Sequence, residues 1–191
     1  MAATNQELEV QRNMMDYGEF LVRQGNEKLR EFYLQGPVNE AALSVSLHTL
    51  NYIASLSKDP IHIHLSTYGG DINAGLGIYD LIKRVKAPVD ITAIGACMSM
   101  GVIILQAARH RYATRNCHFM LHQLRGMNEG NLGEQRDSYR HMEALQLALN
   151  NILAARTGKT AKQIDKLIDR KDYYISATDA LKLCLIDKIV E

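Results

Sequence analysis

Two residues of this 191-residue chain could together perform nucleophilic chemistry, Ser99 and His122. Ser99 lies among small and apolar residues, between a β-like run (89–94) and a helix-like run (102–108). A serine hydroxyl becomes a good nucleophile when a neighbouring imidazole takes its proton, and a helix N-terminus favours developing negative charge. The pattern therefore favours serine acyl-transfer chemistry, with the alternative that Ser99 only caps the helix and His122 is structural.

Acyl transfer also needs amide donors for the oxyanion and an acid that orients the imidazole. A glycine pair that ends in Gly70 follows a predicted strand, and paired glycines let the backbone approach a ligand closely. The amides of Gly70 and Met100 are the natural donors to the oxyanion, with the alternative that the glycine pair forms only a strand-to-helix turn. For the acid, the residues alone leave Asp165, Asp169 and Asp172 open.

His62 and His64 lie two residues apart on a predicted strand, so their side chains share one face. This spacing can bind a metal ion, but no third ligand is evident nearby in the sequence. The favoured interpretation is an ordinary surface pair, and we expect neither a metal site nor an organic cofactor.

The composition excludes several classes of function. The chain has 22 basic and 21 acidic residues and a formal net charge of +1, which gives no electrostatic case for nucleic acid or a membrane surface. Its apolar runs are too short to cross a bilayer. Cys97, Cys117 and Cys184 form no CxxC pair, which predicts a reducing compartment. We expect the cytoplasm, or an organelle matrix if a transit peptide has been removed.

Strand-like and helix-like runs alternate from residue 32 onwards, which predicts an α/β domain with parallel strands. We expect one domain over 32–191, preceded by a helix-prone extension over 1–31. The longest predicted helix covers 134–156. The other predicted strands cover 32–34, 61–65, 111–113, 118–121 and 185–190, and the other helices cover 40–56, 73–85, 100–108, 161–169 and 177–183.

The order and spacing of short motifs between residues 32 and 190 resemble those of the proteolytic subunit of the Clp protease, ClpP. The motifs are Gly-Pro-Val at 36–38, Ser-Thr-Tyr-Gly-Gly-Asp-Ile-Asn-Ala-Gly at 66–75, Ile-Tyr-Asp at 78–80, Gly-Ala-Cys-Met-Ser-Met-Gly at 95–101, Arg-Tyr-Ala at 111–113, Met-Leu-His-Gln at 120–123, Ser-Ala at 176–177 and Leu-Ile-Asp at 185–187. The resemblance implies a ClpP/crotonase-like fold with repeated β-α units and a protruding handle helix from Glu134. A strand and a glycine-rich turn over 126–133 would precede that helix.

The resemblance also implies roles for individual residues. These are the nucleophile Ser99, the general base His122, the orienting acid Asp172, and the oxyanion-hole amides of Gly70 and Met100. The acidic segment carries an extra residue, Lys171, relative to the family pattern, so Asp169 stays a rival for the acid.

By this resemblance the chain is a serine endopeptidase that cleaves unfolded polypeptides through an acyl-enzyme on Ser99. It would form two stacked heptameric rings and enclose its sites in a chamber. Degradation of folded proteins would need an AAA+ unfoldase ATPase, since the chain has no phosphate-binding loop. The aromatic positions that usually dock the ATPase are occupied here by His62 and His64, which leaves that partner open.

Two alternatives use the same residues differently. The first alternative is a ring subunit with an impaired triad and a structural or regulatory role. It is suggested by the extra residue Lys171 and by the bulky pair Cys97-Met98 beside the serine. The second alternative is an acyl-CoA enzyme of the related crotonase fold, which is suggested by the glycine pair. The short chain and the Ser99–His122 pair count against it.

Overall fold

The computed structural model of this chain describes residues 30–126, 130–169 and 171–191. Its strands are β1 (Glu31–Gln35), β2 (Ile61–Thr67), β3 (Val89–Met98), β4 (Arg111–Thr114), β5 (His118–Leu121), β6 (Tyr173–Ser176) and β7 (Lys188–Val190). Its helices are α1 (Glu40–Leu56), α2 (Ile72–Arg84), α3 (Met100–Leu105), α4 (Leu132–Thr157), α5 (Ala161–Ile168) and α6 (Ala177–Lys182). The predicted extension over 1–31 lies almost entirely outside the described residues, so it and the domain boundary stay predictions.

One sheet contains all of these strands. Its main path is β1-β2-β3-β4-β7, with every neighbouring pair parallel. The last residues of β3 pair with β5, and β6 then runs antiparallel to β5. The α/β fold with a parallel sheet is confirmed, while β6 and its antiparallel pairing were not predicted.

Alternating side chains give the sheet two different faces. Ile61, Ile63 and Leu65 of β2 are fully buried, whereas His62 and His64 between them point to the opposite face and are half-buried. Every residue of the short helix α3 is buried, so this helix forms the centre of the core. Such burial anchors the turn that joins β3 to α3.

The long helix predicted from the sequence is α4, which has 26 residues and is about 39 Å long. A capping box between Asn131 and Glu134 begins it, and Gly158 in the left-handed conformation ends it. Leu149 and Leu153 near its C-terminal end are buried, whereas Leu132 is 66% exposed. The helix therefore projects from the domain as the resemblance implied.

Several predicted boundaries were wrong by a few residues. β3 extends four residues past 94, α3 stops at Leu105 instead of 108, and β7 begins only at Lys188. Gly133, expected in the turn before the handle helix, is the second residue of α4, and 127–129 of the expected strand lie outside the described residues. No helix in the described part of the chain is long and apolar enough to span a membrane.

Arg111, at the start of β4, is a buried charged side chain. Its guanidinium donates to both carboxylate oxygens of Asp187, to Gln106 Oε1 at 2.7 Å and to the Cys184 carbonyl at 2.8 Å. Burial alone would raise the pKa of Asp187, but the hydrogen bonds and charge of Arg111 outweigh it and lower the pKa. The network thus ties the chain before β7 to the central sheet.

Asp187→Ala is expected to lower the free energy of unfolding by about 3 kcal/mol, because Arg111 would stay buried without its carboxylate. Since the folded-state pKa of Asp187 is depressed, this contribution is complete above the unfolded value near 3.8 and is lost as the pH falls through the folded value. Urea unfolding at pH 7 and at pH 3 measures both effects. Asp137→Ala, which removes an exposed pair with Arg140 on α4, is the control. Equal losses from the two substitutions would contradict the prediction.

Candidate active site

Ser99 occupies the sharp turn between the end of β3 and the start of α3. Its φ of 52° and ψ of −120° form a conformation that residues other than glycine rarely adopt. The turn is held by the Ser99 N–H, which donates to the Met120 carbonyl at 2.8 Å, and by the Val102 N–H, which donates to the Ser99 carbonyl at 3.0 Å. The Ser99 side chain makes no capping hydrogen bond to α3 in the described structure. The hydroxyl is thus available for another partner.

That partner is His122, whose Nε2 lies 2.8 Å from Ser99 Oγ. The contact follows from the sheet, because Met98 of β3 pairs with Met120 of β5 and each reactive residue comes just after its strand. In the tautomer in which Nε2 accepts the serine proton, the imidazole is placed as a general base. The structure therefore brings together the serine and the histidine that the sequence singled out.

The two predicted oxyanion donors lie at the edges of this turn. Val38 accepts from the Asp71 N–H at 2.8 Å and donates to the Gly69 carbonyl at 3.0 Å, so the Gly70 N–H between them points away from Val38. Met100 is the first residue of α3, and the N–H of a first helical residue has no partner within its helix. Both amides are therefore free of the regular hydrogen bonds around them.

Gly69 is the residue at which the glycine loop comes closest to the serine turn. It has a φ of +97°, and a Cβ built on it would lie 2.7 Å from Ser99 Cβ and 3.1 Å from the Met100 nitrogen. Such contacts are too close for any side chain, so only glycine lets the loop approach the Met100 amide. Gly70 is equally constrained, since its Cβ would lie 2.2 Å from the Val38 carbonyl oxygen.

Gly69→Ala is expected to lower peptide turnover at least about 100-fold, because the new methyl group displaces Ser99 from His122. The matched control is Gly36→Ala. Gly36 has a similar φ of +92° but nothing within 4 Å of a built Cβ, so this variant carries the backbone strain without the clash. Turnover and thermal melting of both variants are the measurements. Equal turnover in the two variants would show that strain, and not the contact with Ser99, is responsible for any loss.

The pairing of strand β6, which sequence analysis missed, bears on which candidate acid lies beside His122. Leu121 of β5 pairs with Tyr173 of β6 as the last antiparallel pair of this ladder, so His122 and Asp172 both follow at the same end. Asp169, by contrast, occupies the C-cap position after α5, away from this ladder. The register therefore supports Asp172, and not Asp169, as the neighbour of the imidazole.

The Asp172 carboxylate, however, is bound to another side chain. Arg125 Nη2 donates to Asp172 Oδ1 at 2.5 Å, while His122 Nδ1 is buried and has no hydrogen-bond partner among the described residues. The third contact of a triad is thus not made in this structure. Sequence analysis missed Arg125, and its only signal was a cation three residues after the histidine.

A relay of polar side chains holds the segment that carries Arg125. Gln146 of α4 accepts from the Leu124 N–H at 2.7 Å and donates to Asn150 Oδ1 at 2.9 Å. Asn150 donates in turn to Asp165 on α5 at 3.3 Å. Asp165, one of the candidate acids, therefore belongs to this relay, which connects the handle helix to the backbone beside the site.

A groove of about 580 Å³ lies alongside the serine turn. Its lining includes Met98, Tyr68 and Tyr174. Cys97, expected to crowd the nucleophile, is fully buried on the other face of β3, and burial raises the pKa of its thiol well above the usual range. Adjacent residues of a strand point to opposite faces, so Met98 lines the groove while Cys97 packs in the core.

The comparison with protein families matches residues 19–191 to the family described as Clp protease. The chain belongs to the Clp protease family. Among solved structures it is similar to a ClpP1 mutant from Listeria monocytogenes, with 27% sequence identity and a TM-score of 0.82. That match covers 90% of this chain and 96% of the other chain. Members of this family are typically serine peptidases and form oligomeric rings.

Within this Clp protease family member, His62 and His64 lie on the sheet face opposite the helices. His62 Nε2 is 2.8 Å from Thr92 Oγ1, and the His64 ring stacks on Tyr33 at 4.7 Å. Burial and the adjacent His64 lower the pKa of His62. In the described residues no group of three or more His, Cys, Asp or Glu side chains is placed to hold a metal ion. The pair therefore forms part of a polar and aromatic surface.

Proposed function

We propose that this chain is a ClpP-type serine endopeptidase that hydrolyses peptide bonds of unfolded polypeptides inside an oligomeric chamber. The observation that carries the proposal is the 2.8 Å contact between His122 Nε2 and Ser99 Oγ at a strained strand-to-helix turn. Backbone strain of this kind costs free energy and persists only where the surrounding structure holds it in place. It is concentrated at functional sites. Membership of the Clp protease family supports the same function.

The reaction follows from the positions of these groups. His122 Nε2 takes the hydroxyl proton as Ser99 Oγ attacks the carbonyl carbon of the peptide bond. The Gly70 and Met100 amides stabilise the oxyanion of the tetrahedral intermediate, each by a few kcal/mol. His122 then gives its proton to the leaving amine, and water, activated by the same imidazole, releases the acyl group from Ser99. In this scheme Asp172 orients the imidazole through Nδ1.

The proposal includes assembly into two stacked heptameric rings, with α4 as the element that interleaves them. Leu132, Tyr139 and Leu147 leave large apolar surfaces exposed along α4, and a partner subunit would bury them. We place the particle in the cytoplasm or an organelle matrix, with an AAA+ unfoldase as the partner for folded substrates. Light scattering is expected to show the ring particle, and a 21.5 kDa species at every concentration would contradict it.

A second candidate function is a catalytically impaired ring subunit with a structural or regulatory role. The observation that favours it is the position of Asp172, which is paired with Arg125 while His122 Nδ1 stays without a partner. A histidine that lacks its orienting acid is a much weaker base in a triad.

Covalent labelling separates the two functions. A fluorophosphonate probe reacts with a serine only when a neighbouring base activates the hydroxyl. We expect the assembled particle to be labelled at Ser99, as shown by peptide mass mapping, and His122→Ala to remove the label. An assembled wild-type particle that takes up no label would favour the impaired subunit instead.

A further inference from the structure

We propose that Arg125 is a positioning residue that competes with His122 for the carboxylate of Asp172. A carboxylate on the substrate that binds Arg125 would then free Asp172 for the imidazole. The inference rests on the proposed function, since it assigns the substrate class and the control of that same site. It makes acidic peptides the favoured substrates.

Two side chains, Arg125 and His122, are candidates to bind the Asp172 carboxylate. Arg125 Nη2 binds Asp172 Oδ1 at 2.5 Å, and the pairing of Leu121 with Tyr173 brings the next residues, His122 and Asp172, to the same end of the β5–β6 ladder. His122 Nδ1 is buried without a partner among the described residues. A buried N–H without an acceptor is costly, and the Asp172 carboxylate is the acceptor that would complete a triad there. Because Nδ1 has no partner among the described residues while Arg125 holds Asp172, the structure shows the two contacts as alternatives.

The position of Arg125 makes the competition reversible. Its side chain is 69% exposed and that of Asp172 is 31% exposed, so the ion pair is screened by water and weak. The backbone beneath it is held, because Gln146 of α4 accepts the Leu124 N–H. A fixed backbone and an exposed guanidinium let an incoming anion replace Asp172 without a rearrangement of the fold.

The substrate class follows from the chemistry of the guanidinium. Arg binds carboxylates through charge-assisted hydrogen bonds, often with two parallel contacts. A glutamate or aspartate of a peptide bound beside Ser99 offers the same group as Asp172. A ligand shifts an equilibrium only by its differential affinity for the two states, and an acidic peptide prefers the state in which Arg125 is free. A neutral peptide has no such preference and leaves Asp172 on Arg125.

The structural test is cryo-electron microscopy of the assembled particle with wild-type chain and with Arg125→Gln. We expect Asp172 on Arg125 in the wild type, and within hydrogen-bond distance of His122 Nδ1 in the variant. This readout does not depend on peptidase activity. A wild-type particle with Asp172 already on His122, or a variant in which it stays away from His122, would overturn the inference.

The kinetic test uses fluorogenic peptides that differ only by Glu or Gln at one position, moved in turn along both sides of the scissile bond. We expect wild-type kcat/KM to favour a Glu peptide over its Gln match about fivefold, which corresponds to about 1 kcal/mol for a solvent-exposed ion pair. Arg125→Gln should raise turnover of the Gln peptides about fivefold and remove the preference. A purely structural role for Arg125 would lower turnover of both.

Arg115→Gln is the matched control, because Arg115 is an exposed arginine in the turn between β4 and β5. It should keep the wild-type preference. A preference that survives Arg125→Gln, or is absent from the wild type at every position, overturns the inference. Fluorophosphonate labelling of the same particles distinguishes this failure from failure of the proposed function. A labelled Ser99 with no effect of Arg125 rejects only the competition, whereas an unlabelled Ser99 in both particles rejects the peptidase.

Discussion

Ser99→Ala is expected to lower peptide turnover by on the order of a million-fold, the scale of loss when the nucleophile of a serine triad is removed. The substitution takes away the hydroxyl that lies 2.8 Å from His122 Nε2, while the fold loses little, because Ser99 does not cap α3 through its side chain. Turnover of a short fluorogenic peptide by assembled particles measures the effect.

The control for this variant is Ser66→Ala. Ser66 also lines the groove beside the site, but it lies on β2. This variant should therefore keep most of the activity and the same particle size. Peptidase activity that persists undiminished in Ser99→Ala particles would show that another residue is the nucleophile, or that the activity comes from a contaminant.

The strand-to-helix turn could be predicted from sequence because local patterns determine it. The alternation of Ile61, Ile63 and Leu65 predicts the strand before the glycine pair, and the apolar run after Ser99 predicts the buried helix α3. The end of β3 was harder to predict. Gly95 indicates a strand end, but it adopts a φ of +67° within β3, and pairing of the next residues with β5 extends the strand. That pairing is a non-local interaction.

The acid near His122 could not be identified from sequence patterns, because its position depends on the pairing of β5 with β6. β6 has four residues and no strong periodic pattern, and its partner β5 lies about fifty positions earlier in the chain. Without this pairing, the residues alone do not distinguish Asp165, Asp169 and Asp172, and only the family resemblance favours Asp172. Arg125 has a long, exposed side chain that can adopt many rotamers. Its position three residues after His122 predicts that it lies near the site, but not which group it binds.

Asp172→Asn is expected to lower peptide turnover by on the order of ten-thousand-fold, provided that the carboxylate orients the imidazole in the reacting particle. The amide keeps the shape of the side chain but loses the charge and presents a donor, which favours the wrong tautomer of His122. The ladder between Leu121 and Tyr173 stays intact, so folding and particle size should not change. Turnover and light scattering of the same preparation test both statements.

Asp169→Asn is the matched control, because it makes the same change at the rival acid three residues earlier. Asp169 follows the last residue of α5 and lies off the β5–β6 ladder, so its charge should matter little for turnover. Comparing the turnover of the two variants therefore shows which of the two aspartates orients the imidazole. If Asp169→Asn abolishes turnover in intact particles and Asp172→Asn does not, then the segment shifts on assembly. The β5–β6 register of the single chain would then not be that of the reacting site.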